Sequence, residues 1–571
     1  MFRGPNSTVA RAKPQTGEMP EFQIPYKGLD LQAPLAAMDP MYGLSLINVI
    51  SDSFGLRTRK GYTLWNTGLP AATPVNSIFA YWPSTVNNPT LTQLVNQGLA
   101  PISQLYQEAR SFIGQFGGDI FSAQGGLIYN VTPSGSTAVV AEAGVGSSGA
   151  GDYWNGQMFA NIAGSFYIMC NEDGGYSYYD GTTWATPTFG GGAGQISGGD
   201  PAYFTNLCVF KRRIWFIEKG STRGWYLPVD SITGLATSFD FGPQFIMGGH
   251  LANLSNWTLD GGAGIDDQLC AFSQQGDVII YVGTDPATPS TFSLRGVWNC
   301  GPLPTGSRQV LSTGGDIQIL SQFGLLSISQ LISATALPAL AKKNKSFRID
   351  PLLARLMRDY AGYNGWQIID APSHEMMLIG IPNEVGSALN RAYLVYKYST
   401  EGWTIIQDAK YSAICNVAGI LYAGNTAGQV VRAFDGPWDN TPTGGLTGTP
   451  IQCQVTTAYQ NCGKPGHNKT AVMIRPGFLT SVTPSLSVTM LTNYGVAAPT
   501  LVPSLPPTTL GSQWNVALWN TGIWAGLKKP IHQWISVRGF GFAFSPQLDF
   551  LASGDTLLTD IDFWVTPGGV M

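Results

Sequence analysis

The stretch FANIAGSFYIMCNEDGGYSYYDGTTW, residues 159–184, reads as two or three strands of one small antiparallel sheet. Its apolar and aromatic runs end in clusters of Asn, Asp and Gly, and Asp-Gly is first of all a turn signal, because glycine takes a positive φ without steric cost. The same texture recurs in 117–133, 206–228, 268–283, 316–329 and 374–383. Small sheets repeating every 40–60 residues are the pattern of a propeller or a β-solenoid.

Self-similarity supports a repeat. Asn161, Ala163, Gly164, Tyr167, Asp180 and Gly181 match Asn416, Ala418, Gly419, Tyr422, Asp435 and Gly436 at a constant offset. YYDGTTW (178–184) is echoed by YKYSTEGW (396–403), each leaving a polar turn through a tryptophan. Trp184 and Trp403 are therefore candidates for the seam between blades, with convergent hairpin chemistry as the alternative.

Composition gives the same class. Of 571 residues, 70 are glycine and 12% aromatic, while only 12% are charged, about half the usual share. Scarce Lys and Glu with abundant Gly, Thr and Tyr indicate all-β architecture. So few charges point either to a polar uncharged surface or to surface buried between subunits. The net charge of −4 argues against a dedicated nucleic-acid binder, though not against a channel that DNA slides through. Seven scattered cysteines without a CxxC point to a reducing compartment. The N-terminus lacks the apolar segment of a signal peptide, and no run approaches the length of a membrane span.

The expected organisation is an N-terminal arm (1–23), a β segment closing or docking on the propeller (24–75), a β-propeller of about six to seven blades (76–445) and a C-terminal antiparallel sandwich or barrel (446–571). One short inserted helix is expected within 342–362, with Asp350 as N-cap and Pro351 at its first position. Its basic approach, Lys342, Lys343, Lys345 and Arg348, is a solvated loop, a phosphate-facing loop or a subunit contact.

Catalytic chemistry finds no anchor in the sequence. His250, His374, His467 and His532 lie far apart, and none has a recognisable Ser, Cys or Asp partner nearby. Cys453, Cys462 and His467 lack a fourth zinc ligand and the usual spacing. No phosphate-binding loop or calcium repeat occurs. The expectation is no enzyme, no cofactor and no metal. The alternative is a carbohydrate-binding or glycoside-hydrolysing β-propeller, whose two carboxylates need only approach across the fold.

Residues 24–70, with Asn48, Gly55, Leu56, Arg57, Arg59 and Gly61, together with TTAYQNCGKPGHNKTAVMIRP (456–476), WNTGIWAG (519–526) and VRGFGFAFSPQLDF (537–550), resemble the tail hub or nozzle proteins of short-tailed bacteriophages. That family includes tail tubular protein B and packaged-DNA stabilisation proteins. The resemblance implies a virion protein assembled in the bacterial cytoplasm. It implies a homohexameric ring below the portal and adaptor, with a propeller in each subunit and a channel that double-stranded DNA traverses without sequence-specific binding. It also implies docking of tail fibres, spikes or a plug. Arg57, Arg59 and Lys60 then become candidates for subunit or blade contact, for DNA phosphate contact, or for an ordinary solvated strand.

Overall fold

The computed structural model describes residues 19–570 apart from 72, 84–117, 144–151, 259–266, 314, 334–343, 383–391, 444, 446, 464 and 496–527. The chain divides into two compact units, one of residues 1–58 with 452–571 and the other of residues 59–451.

In the second unit, period-2 apolar runs become short strands that hydrogen-bond mostly to their sequence neighbours. Sheet one contains Ser77–Tyr81, Asp119–Gln124, Leu127–Asn130 and Val139–Ala143. Sheet two is the opening stretch itself, Trp154–Asn161, Gly164–Asn171, Tyr176–Tyr179 and Trp184–Ala185. Sheet three holds Phe204–Phe210, Arg213–Glu218, Arg223–Tyr226 and Thr237–Asp240, and sheet four Leu251–Trp257, Gln268–Ser273, Asp277–Gly283 and Phe292–Asn299. Sheet five has three strands, Val310–Thr313, Asp316–Ser321 and Gly324–Ser327. Sheet six runs through Gln367–Ala371, Met376–Gly380, Tyr393–Lys397 and Gly402–Ile406. Sheet seven, Tyr411–Val417, Ile420–Asn425 and Val430–Ala433, takes its fourth strand, Tyr62–Asn66, from the start of the unit.

The all-β expectation agrees with this architecture. The β-propeller expectation is corrected: among the described residues every sheet is open, and none closes into a ring. Neighbouring sheets are joined by side chains instead. Phe79, Phe121, Tyr167, Tyr179 and Trp184 fill the space between sheets one and two. Phe204 stacks on Phe216 at 4.4 Å within the core between sheets two and three. Tyr281, Phe292 and Trp215 belong to the core between sheets three and four. Aromatic rings bury much area and gain further from stacked and edge-on contacts, which suits narrow seams between twisted sheets.

The inserted helix forms over Asp350–Tyr360, with Leu353 and Met357 buried. Its start differs in detail from the expectation. Ile349 occupies the cap position, and Asp350 is the first helical residue. The Asp350 carboxylate accepts from Ser346 Oγ (2.8 Å) and Asn344 Nδ2 (3.1 Å), so the upstream turn is tied to the helix start. It is also not the sole helix, since Ile328–Ser333 forms another short one.

The matched segments occupy corresponding places in sheets two and seven. Each joins the first strand to the second by a two-residue turn, and Asp180 and Asp435 each follow a third strand. The turns are displaced by one residue, however: Ile162-Ala163 in sheet two against Ala418-Gly419 in sheet seven. A second repeat escaped the sequence. Near the start of the first strand, a β-bulge falls between Phe204 and Asn206, Leu251 and Asn253, and Tyr411 and Ala413. A bulge re-aims side chains. Asn206 here accepts from Asn155 Nδ2 of sheet two (2.8 Å), and Asn253 Nδ2 donates to the Ser307 carbonyl ahead of sheet five (2.8 Å).

The first unit is assembled from both ends of the chain. Thr556–Val570 pairs with His467–Thr480 on one side and with Gly55–Thr58 and Glu21–Phe22 on the other. Gly43–Ile47 pairs with Ile451–Thr457, which is followed by Phe544–Ala552 and Ser485–Thr492. Phe478 meets Phe550 at 5.4 Å and Phe544 meets Phe563 at 5.5 Å, so the two layers share an apolar core.

Candidate functional site

The bulges that re-aim Asn206 and Asn253 also shape a polar cavity of about 290 Å³ in the second unit. Five consecutive sheets converge on it. Sheet two sends Glu172 from the turn after its second strand, and sheet three sends Thr205, Asn206, Lys219 and Gly220. His250 to Ala252 and Gln274 come from sheet four, Thr305 to Ser307 from the approach to sheet five, and Asn364 from the approach to sheet six.

Glu172 is the organising group. Its Oε1 accepts from the Ser307 amide (2.8 Å) and hydroxyl (2.9 Å), and Oε2 accepts from Asn364 Nδ2 (2.6 Å). Hydrogen bonds to a carboxylate are about twice as strong as neutral ones, so these contacts hold the acceptor in place. Lys219 Nζ donates to the Asp173 carbonyl and carboxylate, each at 2.8 Å, which fixes the cation at one side of the mouth. Burial pushes the His250 imidazole below its ordinary pKa and favours the neutral ring. Asn206 is 1% exposed; its Oδ1 accepts from Asn155 Nδ2 and the Leu207 amide, while its Nδ2 has no partner.

Arg57 and Arg59 do not face the same partner. Arg57 Nε donates to Asp52 Oδ2 (2.9 Å), and its Nη1 reaches Asp555 Oδ1 (3.0 Å). Arg59, 1% exposed in its side chain, grips Asp439 through two parallel bonds of 2.8 and 2.6 Å. Both guanidinium groups thus meet carboxylates of their own chain. Lys60 is exposed. Lys345 is drawn inward, where Nζ donates to Gln318 Oε1 (3.0 Å) and burial lowers its pKa. Arg348 lies in the helical turn Phe347–Ile349. Lys342, Lys343 and WNTGIWAG (519–526) lie outside the described residues, as does most of the N-terminal arm.

Trp184 packs edge-on against Phe121 at 5.1 Å, between sheets one and two. Trp403 is buried on the fourth strand of sheet six, where Nε1 donates to the Lys345 carbonyl (2.8 Å). Among the described residues, no group of three or more His, Cys, Asp and Glu side chains could hold a metal ion.

Of the cavity residues only His250 was singled out by sequence reasoning. Glu172 had a usable signal, an acid in the turn CNEDGG. Ser307 and Asn364 lie 135 and 192 residues away from it, and nothing local marks them.

The fold and cavity define a chain of two β units with a polar recess in the larger. No family model matches it, and neither does any curated protein. It is similar to solved structures at low identity. BBS1N in complex with ARL6DN matches at 12% identity and a TM-score of 0.24, over 37% of this chain and 59% of that one. The extracellular domain of BT4673, named as a one component system of B. thetaiotaomicron, matches at 7% and 0.36, over 80% and 57%. The chain therefore spans less than two thirds of either protein. An exo-beta-1,3-galactanase from Phanerochaete chrysosporium matches at 9% and 0.22, over 72% and 95%. With a glycan-cleaving enzyme among these matches, the expectation that the chain is no enzyme is set aside. At such a TM-score the match argues for no particular activity either.

Proposed function

We propose that the chain is a structural subunit of a phage tail hub, forming a ring below the portal and adaptor that conducts DNA and offers docking surface to other tail proteins. One observation carries the reading. Residues 24–58 of the N-terminal block that bears the resemblance and the described closing segments 456–476 and 537–550, separated by nearly 400 residues in sequence, build one compact unit, with Gly55–Thr58 paired to Thr556–Val570. Two ends that fold together can be held in common by a family while the middle varies.

The test is the mass of the purified chain by light scattering, followed by negative-stain imaging with and without a portal and adaptor complex. Rings of about six subunits, alone or on that complex, are the expected result. A monomer that ignores the complex at every concentration overturns the reading. A second reading, saccharide recognition by the larger unit, is favoured by the polar cavity.

A further inference from the structure

The cavity around Glu172 is larger than its own hydrogen bonds require. At about 30 Å³ per water in the liquid, 290 Å³ corresponds to roughly ten waters, enough for one hexose-sized ring. Its wall combines fixed acceptors and donors with little net charge. Glu172 is held by Ser307 and Asn364, Lys219 is paired with Asp173, and burial disfavours the charged form of His250. Among the lining residues Glu172 and Lys219 carry opposite charges, so the lining itself has no formal net charge.

A neutral ligand rich in hydroxyls would find partners, because each hydroxyl both donates and accepts. Thr305 and Gln274 add a hydroxyl and an amide to the same wall. Backbone forms part of the wall at Gly220 and Gly306, and Gly306 adopts a φ of +123°. A Cβ on Gly306 would lie 3.1 Å from Glu172 Oε1, so glycine keeps the carboxylate accessible from that side.

We propose that this cavity binds a single neutral sugar unit, free or at the end of a glycan, with Glu172 accepting from its hydroxyls. The proposal deepens the second reading above and does not depend on the ring.

The experiment is saturation-transfer NMR and calorimetry on the full chain with glucose, galactose, mannose and N-acetylglucosamine, with glucuronate and glucosamine as charged probes. Saturable binding of at least one neutral sugar is expected, weakened at least tenfold in Thr305→Phe, which fills the cavity while leaving the Glu172 contacts in place. Glu172→Gln should weaken it also, and circular dichroism and melting check that both variants fold. Absence of saturable binding by every neutral sugar up to about 50 mM overturns the proposal. So does equal binding by a folded Thr305→Phe variant, or a preference for either charged probe. A ring that binds no sugar would sink this proposal alone, and a sugar-binding monomer would sink the hub reading alone.

Discussion

Replacing Asp439 by Asn removes the charge that compensates Arg59, a guanidinium whose side chain is 1% exposed. The loss is not that of one hydrogen bond. Breaking a buried ion pair by removing one partner leaves the other charge in a poor solvent, at a cost of about 3–5 kcal/mol. Proteins have unfolding entropies of about 2.1 cal/mol/K per residue, so a unit spanning residues 59–451 should shift by roughly 1.2 °C per kcal/mol. Scanning calorimetry should therefore show a Tm lower by about 4–6 °C. The double variant Arg59→Met, Asp439→Leu should recover most of that fall, because no orphaned charge remains. The Tyr62 phenol gives a local readout. Burial first, and then the Asp439 charge, push its pKa up to about 12, so spectrophotometric titration of Asp439→Asn should show it lowered. A Tm change under about 1 °C, or a double variant no more stable than the single one, would refute the reasoning.

Other consequences are equally direct. Burial depresses the pKa of His250 and His374, assisted at His374 by Lys60 and Lys397. Below about pH 6.5 the unfolded chain therefore binds more protons than the folded one, and stability should fall as pH drops from 7.5 to 5.5. His374→Gln should flatten that slope in a pH series of melting curves. Gly61→Ala would place a Cβ 1.8 Å from the Trp438 carbonyl oxygen, beside the strand that completes sheet seven. It should cost about 3 kcal/mol and speed amide exchange across Tyr62–Asn66. Six of the seven cysteines are buried, and burial pushes the thiols of Cys208 and Cys300 up to about 12. Ellman's reagent should titrate at most one thiol in the native chain and seven after denaturation.

The turns and the strands of the small sheets were legible because their information is local. Asp180 accepts from the amides of Thr182 and Thr183, each at 2.7 Å, and glycine supplies the positive φ at Gly181. Neighbouring strands then meet with little loop-closure cost. The short helix was legible for the same reason, through Pro351 and the spacing of Leu353 and Met357.

Tertiary structure decided the rest. Period-2 alternation says that a strand has an inner face, but not which edge it joins. Nothing near Tyr62–Asn66 marks it as the last strand of sheet seven, and nothing near Gly55–Thr58 marks Thr556–Val570 as its partner. Arginine at 57 and 59 announced carboxylate or phosphate partners; only the folded chain assigned Asp52, Asp555 and Asp439. The cavity is the extreme case. Its carboxylate, hydroxyl and amides come from five sheets, each side chain ordinary in its own segment. Hydrogen bonds at a turn depend on residues two or three positions apart, whereas register between distant strands depends on the summed burial of whole faces, and that sum exists only once the sheets have packed.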